Sequence, residues 1–513
     1  MSSNLTSGRT IRTVLETWAE TAAEAPFLRF ESEDGSSIER SYGEIYERAL
    51  RAAEVLVATG VGAGDRVLVH LPNRADFFDA WFGCAVLGAV MVPTNPLLTP
   101  SELNFEIGHS GVVSAITTPE LAEGVDAARK GTDLAQVITT GNDLEDRLAS
   151  AGTFDGPGPV DRDPAAILYT SGTTSRPKGV IVTHANYIYA GDVVAQHLRI
   201  TSADRWLVVL PLFHANAQYY STTSALVSGA SVAVMDRFSA SRWGEQARRN
   251  EATLASLFAA PIRMILAAPG SSGDADNQLR AVIFSQNVSV EQLDDFEQRF
   301  DTDLLQLYGM TETIAPPTLN PLVGERRNMS IGPPTRRAKL QVTDAGELLV
   351  GGEPGVSLMA GYLDDPEATA AALRDGWLHT GDLVRVDEDG YFYFVDRAKD
   401  IIKRAGENVS AGEIEAIVNG HPAVHESAAI GVPDEMRDEA IVLYCVLRDG
   451  AVTTDDEILE WCRERLASFK VPRDVSFVPA LPRTSVGKVQ KEALRRSGGA
   501  ALEGNVMEKG VGG

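Results

Sequence analysis

The chain has 513 residues, of which 44% are hydrophobic and 23% are charged. Its length corresponds to roughly two or three domains, and its composition is that of a globular protein rather than a disordered one. The formal net charge is −25, which argues against sequence-independent binding of nucleic acid or of an anionic membrane, because both require a basic protein surface.

The sequence also bears on the cellular compartment. The first thirteen residues are polar and lack the apolar core of a signal peptide. The longest apolar run, Ala80 to Pro93, is too short to cross about 30 Å of hydrocarbon as a helix. Cys84, Cys445 and Cys462 form neither a CxxC pair nor a disulfide pattern. We therefore predict a cytoplasmic enzyme without a membrane span.

The first half of the chain alternates between helical and strand-like patterns. Tyr42 to Thr59 has the apolar spacing of an amphipathic helix, and the mostly apolar stretch Asp76 to Leu87 is predicted to form a second helix. Strands are predicted at Asp65–Leu71, Ala89–Val92, Ser231–Met235, Leu254–Phe258 and Ala281–Phe284. Repeated strand–helix alternation indicates parallel sheets covered by helices on both faces.

The pattern changes near residue 340. The alternating segments LQVTDAGELLV (340–350) and DGYFYFVD (389–396) are typical of antiparallel strands. Beyond Asp396, Ala428–Val432 and Ala440–Leu447 are predicted as strands and Thr454–Ala467 as a helix.

These patterns predict an α/β fold with four consecutive parts. They are a large N-terminal domain of parallel-rich sheets, helices and a small β subdomain (1–396), a boundary segment (397–400), a small α+β domain (401–496) and a Gly-rich flexible tail (497–513).

The strongest local motif is ILYTSGTTSRPKGVIVTH, from Ile167 to His184. An apolar strand runs into a loop rich in hydroxyls and glycines that ends in Lys178. Hydroxyl groups, glycine amides and one ammonium group at this density suit a polyphosphate, although the Walker spacing is missing. Such clusters are more often plain surface loops, but the flanking strands and the embedded Pro-Lys-Gly favour a phosphate site.

Together with five later segments, this loop resembles the adenylate-forming enzymes, the superfamily of acyl-CoA synthetases, firefly luciferase and peptide-synthetase adenylation domains. The six segments are TSGTTSRPKG (170–179), PLFHANAQ (211–218), LYGMTET (307–313), GWLHTGD (376–382), YFVDRAKDIIKRAGENVS (393–410) and LPRTSVGKVQK (481–491). In detail, RDEA (437–440), FKVP (469–472) and the GENVS segment are most similar to the carnitine/crotonobetaine-CoA ligase group.

The resemblance implies an AMP-forming acyl-CoA ligase, which activates a carboxylic acid with ATP and then transfers the acyl group from acyl-AMP to the thiol of coenzyme A. It implies three catalytic residues, Lys488, His214 and Glu312. Lys488 would bring positive charge to the adenylation transition state. Thr173 and Glu312 would bind Mg2+, which prefers hard oxygen ligands.

The resemblance also implies contacts to the nucleotide and to coenzyme A. The nucleotide-binding residues are Thr170, Ser171, Gly172, Thr173, Thr174, Lys178, Ser285, Gln286, Asn287, Leu307, Tyr308, Gly309, Met310, Thr311, Asp382 and Arg397. Asp382 would accept hydrogen bonds from the ribose, whereas a salt bridge at the domain boundary is the alternative for Arg397. Lys399 is the implied hinge, and Gly406 and Glu407 are the implied coenzyme A contacts.

The acyl pocket is expected to contain Phe213, Asn216, Gln218, Phe258 and Ile314. The pocket segments FHANAQYYSTT, FAAPIRMI and FSQNVS contain no acidic residue, whereas a quaternary ammonium group needs a carboxylate or an aromatic cage. We therefore expect a neutral and fairly bulky carboxylic acid.

The spacing of two histidines is compatible with a metal site. His421 and His425 are four residues apart, but Pro422 lies between them and disfavours a helix. We predict that both are structural and that the protein binds no zinc. We also expect no nucleic-acid partner and consider a homodimer.

Two departures from the family pattern leave alternatives open. Ser175 replaces the usual glycine of the phosphate loop, and the turn beside the adenine, Ser285 to Ser289, contains no glycine. An enzyme specialised for thioester formation from acyl-AMP, with weak adenylation, is therefore one alternative. The other is an adenylation enzyme that loads a carrier protein.

Overall fold

The computed structural model describes residues 6–170, 177–397, 400–404, 407–434, 438–483 and 489–496. The chain folds into two compact units. The first contains the residues up to Gln341 together with Leu349–His379 and Val386–Phe392, and the second contains Val342–Leu348, Thr380–Arg385 and the residues from Tyr393 onward. The finer division at 396 and 400 stays a prediction.

The helices in the described residues are α1 (Ile11–Thr21), α2 (Tyr42–Ala58), α3 (Asp76–Leu87), α4 (Pro100–Ser110), α5 (Ala122–Ala128), α6 (Asn142–Ser150), α7 (His184–Leu198), α8 (Thr223–Ser228), α9 (Trp243–Arg249), α10 (Ala259–Ala267), α11 (Val290–Phe300), α12 (Pro366–Ala372), α13 (Ala411–Asn419) and α14 (Asp455–Arg465). A π-helical segment spans Asn216–Thr222, and 3-10 turns span Thr311–Thr313 and Ser468–Lys470. None of the helices in this part of the chain combines the length and apolarity needed to cross a membrane.

The strands are β1 (Pro26–Glu31), β2 (Ser37–Ser41), β3 (Arg66–His70), β4 (Val90–Pro93), β5 (Ser114–Thr117), β6 (Gln136–Thr139), β7 (Pro164–Thr170), β8 (Lys178–Thr183), β9 (Arg205–Val208), β10 (Ser231–Met235), β11 (Leu254–Phe258), β12 (Ala281–Ser285), β13 (Leu304–Tyr308), β14 (Thr318–Leu319), β15 (Lys339–Val342), β16 (Glu347–Gly351), β17 (Gly361–Tyr362), β18 (Leu373–Arg374), β19 (Trp377–Val386), β20 (Phe392–Arg397), β21 (Ile401–Arg404), β22 (Glu407–Ser410), β23 (Val424–Asp434), β24 (Asp438–Leu447) and β25 (Asp474–Phe477).

Two sheets form the framework of the first unit. One has the strand order β14-β13-β12-β11-β9-β10-β1-β2 and is parallel except at its two edge strands. The other has the order β17-β8-β7-β4-β3-β5-β6 and is parallel from β7 to β6. The predicted α/β class with parallel-rich sheets is confirmed.

Helix α3 is buried along its entire length, which explains why its sequence is apolar on every side rather than amphipathic. The buried carboxylate of Asp79 in this helix accepts hydrogen bonds from Arg40 and Arg48, each at 2.8 Å. A buried carboxylate without such partners would be strongly destabilising, so the two arginines make this apolar helix compatible with an acidic residue.

The second unit contains a sheet of order β22-β21-β24-β23, with β25 paired to β24. Helices α13 and α14 cover one face of it through an apolar cluster that includes Ile414 and Cys462. Ser410 caps α13, and its hydroxyl donates to the carboxylate of Asp396 at 2.9 Å. This mixed α/β arrangement agrees with the α+β unit predicted from the sequence.

Beside the phosphate-loop strand β7, helix α4 buries a carboxyl group. Glu106 is 6% exposed, and its Oε2 atom has no hydrogen-bond partner among the described residues. Burial, reinforced by Glu102, raises the pKa of Glu106 to about 8. The hydroxyl of the neighbouring Tyr169 donates to the backbone carbonyl of Glu106 at 3.3 Å and contacts His109 at 2.8 Å.

This burial predicts a pH dependence of stability. The pKa of Glu106 in the folded protein lies above its unfolded value of 4.5. The protonated carboxyl therefore contributes fully to folding stability below pH 4.5, and this contribution is lost as the pH rises through about 8. As the pH rises from 5 to 9, the urea midpoint of Glu106→Gln should therefore increase relative to the urea midpoint of the wild type. The exposed control Glu123→Gln should show no such trend, and parallel pH profiles for wild type and Glu106→Gln would contradict the prediction.

Candidate active site

The predicted phosphate loop is held at both ends by a strand pair. β7 ends at Thr170 and β8 begins at Lys178, and these two residues face each other in the antiparallel register. The predicted residues between them, Ser171, Gly172, Thr173 and Thr174, lie outside the described residues, as does Ser175. The ends of the predicted loop are therefore adjacent in the sheet.

Glu312 and Lys178 meet through a residue that sequence analysis did not identify. Glu312 lies in the 3-10 turn after β13 and is 7% exposed. The hydroxyl of Tyr362 donates to Glu312 Oε1 at 3.0 Å, and Lys178 Nζ lies 4.8 Å from the centroid of the Tyr362 ring. Burial, followed by the nearby Glu312 carboxylate, raises the pKa of Tyr362 well above its usual range. None of the six family-like segments includes Tyr362.

The backbone around Glu312 is held tightly and is strained at one residue. The Thr313 hydroxyl accepts from the Met310 amide at 3.0 Å, and the carbonyl of Glu312 accepts from the Met359 amide at 3.0 Å. Ile314, a predicted acyl-pocket residue, is fully buried and has φ 64° and ψ −77°. A β-branched residue rarely adopts positive φ, and such strain is concentrated at functional sites.

Gly309 has a steric reason to be glycine. A methyl group at this position would overlap the hydroxyl of Tyr220, which comes from the π-helical segment. We expect Gly309→Ala to lower the urea midpoint by the equivalent of about 1–3 kcal/mol, the usual cost of overpacking, and to weaken AMP binding measured by calorimetry.

Two further variants test this steric explanation. Gly124→Ala places its methyl group in open space on α5 and should not destabilise the protein. Removing the obstructing hydroxyl with Tyr220→Phe should restore most of the stability lost in Gly309→Ala. A double variant as unstable as Gly309→Ala would rule out this contact as the cause.

The predicted adenine turn follows β12. Gln286 is exposed and has φ 75°, a conformation that glycine adopts more readily. The side-chain amide of Gln306 donates to the Gln286 carbonyl at 3.3 Å and to Asn287 Oδ1 at 3.2 Å, and Arg263 donates to the Asn287 carbonyl at 2.8 Å. The turn after Ser285 therefore contains a residue other than glycine in the left-handed conformation, and side chains from neighbouring elements stabilise this turn.

Two predicted acyl-pocket residues, Asn216 and Gln218, lie in the π-helical segment. The rings of Phe213 and His214 lie 4.6 Å apart, and the carbonyl of His214 accepts from the Gln218 amide at 3.2 Å. Asn216 Oδ1 accepts from the Ser256 hydroxyl at 2.8 Å. Phe258 ends β11 and is partly buried. π-Helical turns are rare and are frequent at functional sites.

Gln218 is fully buried, and both ends of its side-chain amide are bonded within the protein. Its oxygen accepts from the Tyr187 hydroxyl at 2.5 Å, and its nitrogen donates to the Leu212 carbonyl at 2.8 Å. These bonds fix the π-helical segment against α7. Its predicted place in the acyl pocket stays a prediction.

Other predicted residues lie in the second unit. Asp382 is 4% exposed, and its backbone amide donates to the Thr380 hydroxyl at 3.1 Å. Several predicted groups lie outside the described residues, namely Lys399, Gly406, Lys488 and the side chains of Arg397 and Glu407.

The histidine pair lies in this unit, and its structural role stays a prediction. His421 Nδ1 accepts from the Ala423 amide at 3.2 Å, and its ring packs edge-on against Trp461 with 5.0 Å between centroids. His425 is exposed.

The carboxylate of Glu312 has the properties of a magnesium ligand. Its carboxylate is a buried, hard oxygen ligand that lies near the end of the phosphate loop through Tyr362 and Lys178. These are properties that Mg2+ on a polyphosphate requires. Glu312 therefore fits the ion, while the other predicted ligand, Thr173, lies outside the described residues.

Residues 15–363 match the family of AMP-binding enzymes, and residues 413–488 match the C-terminal domain of the same enzymes. The chain belongs to this family, the adenylate-forming enzymes that include the acyl-CoA ligases. The family predicted from the six sequence motifs is confirmed.

Named relatives and solved structures make the similarity more specific. The crotonobetaine/carnitine–CoA ligase of Proteus mirabilis is 37% identical, covering 94% of this chain and 98% of that protein. ATP-bound MatB from Rhodopseudomonas palustris is 28% identical with a TM-score of 0.87, covering 95% of this chain and 99% of MatB. The o-succinylbenzoate CoA synthetase MenE of Bacillus subtilis, in complex with its acyl-adenylate intermediate, is 26% identical with a TM-score of 0.82, covering 94% of this chain and 97% of MenE.

Proposed function

We propose that this protein is an AMP-forming acid–CoA ligase. A carboxylate oxygen of the acid attacks the α-phosphorus of ATP, giving acyl-AMP and releasing pyrophosphate. The thiol of coenzyme A then attacks the acyl carbon, giving the thioester and releasing AMP. The observation that carries this proposal is the convergence of Lys178 and Glu312 on Tyr362, beside the phosphate loop.

In this proposal each polar group has a distinct task. Lys178 attracts the phosphate oxygens. Glu312 and Thr173 hold Mg2+, which when bound neutralises charge on the polyphosphate. Asp382 accepts from the ribose hydroxyls, and Lys488 stabilises the adenylation transition state.

The proposal also covers the second half-reaction, the cellular location and the assembly state. Lys399 serves as the hinge, and Gly406 and Glu407 contact coenzyme A. The cytoplasm is the proposed location, and a homodimer is the proposed assembly state.

The acid is proposed to be neutral and fairly bulky. The three predicted pocket segments contain one charged residue, Arg263, and its guanidinium bonds to the turn after β12. None of the three segments contains a carboxylate to pair with a quaternary ammonium group, so a substrate such as the one for which the Proteus relative is named is disfavoured.

One observation favours a second candidate, an enzyme with weak adenylation. Gln286 places a side chain at a left-handed position in the proposed adenine turn. A displacement of the adenylate near 1 Å can lower a rate by about 10²-fold. Such an enzyme would depend on acyl-AMP supplied from another source.

The test is a pyrophosphate-release screen over neutral aromatic, neutral aliphatic, dicarboxylic and quaternary-ammonium acids, with coenzyme A, with a pantetheinyl carrier protein, or with neither. Synthetic acyl-AMP with coenzyme A forms a parallel reaction. Similar thioester rates from ATP plus acid and from acyl-AMP support the full ligase. Thioester formed only from acyl-AMP supports the second candidate, and transfer to the carrier protein alone would contradict both.

A further inference from the structure

Tyr362 contacts both charged groups of the proposed polyphosphate site. Its hydroxyl donates to the carboxylate of Glu312 at 3.0 Å. The face of its ring lies 4.8 Å from the ammonium of Lys178, within the distance at which a cation is attracted to an aromatic face. One half-buried side chain therefore lies against an anion and a cation that come from different parts of the chain.

The backbone of the same segment joins the same two elements. The Met359 amide donates to the carbonyl of Glu312 at 3.0 Å. At the other end, the Ala360 amide donates to Ile181 at 3.0 Å and the Leu363 amide donates to Gly179 at 2.8 Å, so β17 is an edge strand on β8. Residues 359–363 thus tie the 3-10 turn that carries Glu312 to the strand that begins with Lys178.

The N-terminal side of α12 fixes the position of Tyr362 further. The Tyr362 amide donates to the Thr369 hydroxyl at 2.9 Å, and that hydroxyl donates to the Asp365 carbonyl at 2.8 Å. These bonds fix the backbone of Tyr362, and the hydrogen bond from its hydroxyl to Glu312 restrains the ring. Preorganised polar groups need no rearrangement when charge arrives at a site.

We propose that Tyr362 is a positioning residue, which orients the Glu312 carboxylate for Mg2+ and holds the Lys178 ammonium toward the phosphates. This inference rests on the proposed function. It assigns to the Gly361-Tyr362 pair a task in nucleotide activation that none of the predicted site residues covers. Tyr362 acts through its two neighbours and does not itself touch the reacting atoms.

The test separates the hydroxyl from the ring. Tyr362→Phe keeps the ring near Lys178 and removes the hydrogen bond to Glu312. Hydrogen bonds to charged groups support an effect of about tenfold or more, so we expect Mg-ATP to bind about tenfold more weakly in calorimetry. The Mg2+ concentration for half-maximal pyrophosphate release should rise. Tyr362→Leu also removes the ring and should weaken Mg-ATP binding about threefold further.

A purely structural role would give a different pattern. In EDTA, AMP lacks both the metal and the β- and γ-phosphates, so its affinity for Tyr362→Phe should match that of the wild type, as should the thermal midpoint. Tyr391 offers a matched control, because its hydroxyl donates to the Glu325 carbonyl at 2.6 Å and its ring lies 4.5 Å from the Arg327 guanidinium. Tyr391→Phe should leave Mg-ATP binding unchanged.

A double-variant cycle tests whether the effect passes through the carboxylate. In the background of Glu312→Gln, Tyr362→Phe should add little further loss of Mg-ATP affinity, and a fully additive loss would overturn the proposal. Unchanged Mg-ATP binding in Tyr362→Phe, or equal weakening of AMP in EDTA, would also overturn it. A wild type that binds Mg-ATP but forms no acyl-AMP would instead refute the proposed function, while the binding measurements still decide the role of Tyr362.

Discussion

Replacing Lys488 with alanine is expected to abolish acyl-AMP formation and to leave thioester formation from supplied acyl-AMP intact. In the proposed reaction, attack on the α-phosphorus and departure of pyrophosphate occur only in the first step. Removing a cation from a transition-state site that excludes water typically costs about 10²–10³-fold in rate. The measurement is the rate of pyrophosphate release with ATP and acid, set beside the rate of thioester formation from synthetic acyl-AMP.

The control for this prediction is another lysine of the C-terminal unit. Lys470 forms an ion pair with Glu413 at 2.7 Å, and Lys470→Ala should leave both half-reactions nearly unchanged, since exposed ion pairs contribute little. Equal damage to both half-reactions in Lys488→Ala would contradict the assignment. If Lys488→Arg retains the rate of pyrophosphate release that Lys488→Ala loses, positive charge at this position is what the first step needs.

The buried strands could be predicted because parallel strands covered on both faces form short apolar runs. β10 and β11 have the predicted bounds, and helix α3 also begins and ends as predicted. The irregular helical segments were harder to predict than the buried strands. The 3-10 turn at Thr311–Thr313 and the π-helical segment at Asn216–Thr222 depend on bonds to distant residues, such as the one between Gln218 and Tyr187, and local periodicity does not encode these.

The same distinction between local and long-range determinants applies to the candidate site. Contiguous motifs indicated Lys178 and Glu312, because hydroxyls, glycines and charges stand close together in the sequence there. Tyr362 reaches the site only because β17 pairs with β8, where its partner Val180 lies 182 residues earlier in the sequence. The positive φ of Gln286 and Ile314 likewise reflects tertiary contacts that overrule local preference, which is expected at functional sites.

Glu312→Gln is expected to reduce pyrophosphate release by about 10²-fold or more, because the proposed Mg2+ site loses a charged oxygen ligand where the metal offsets charge on the polyphosphate. Glutamine has nearly the same shape, and its side-chain oxygen can still accept the Tyr362 hydroxyl. The fold should therefore persist, and the thermal midpoint should stay close to that of the wild type. The exposed carboxylate of Glu325, which pairs with Arg327 at 2.8 Å, supplies the matched control Glu325→Gln.

The two half-reactions should respond differently to Glu312→Gln. Acyl-AMP carries no β- or γ-phosphate, so thioester formation from supplied acyl-AMP should fall much less than pyrophosphate release, and AMP affinity in EDTA should match that of the wild type. Raising the Mg2+ concentration should recover part of the lost rate if the ion binds more weakly. Unimpaired pyrophosphate release would exclude Glu312 as a ligand. A parallel collapse of both half-reactions with a lowered thermal midpoint would mean that the buried carboxylate serves the fold, through its hydrogen bond from Tyr362, rather than the nucleotide.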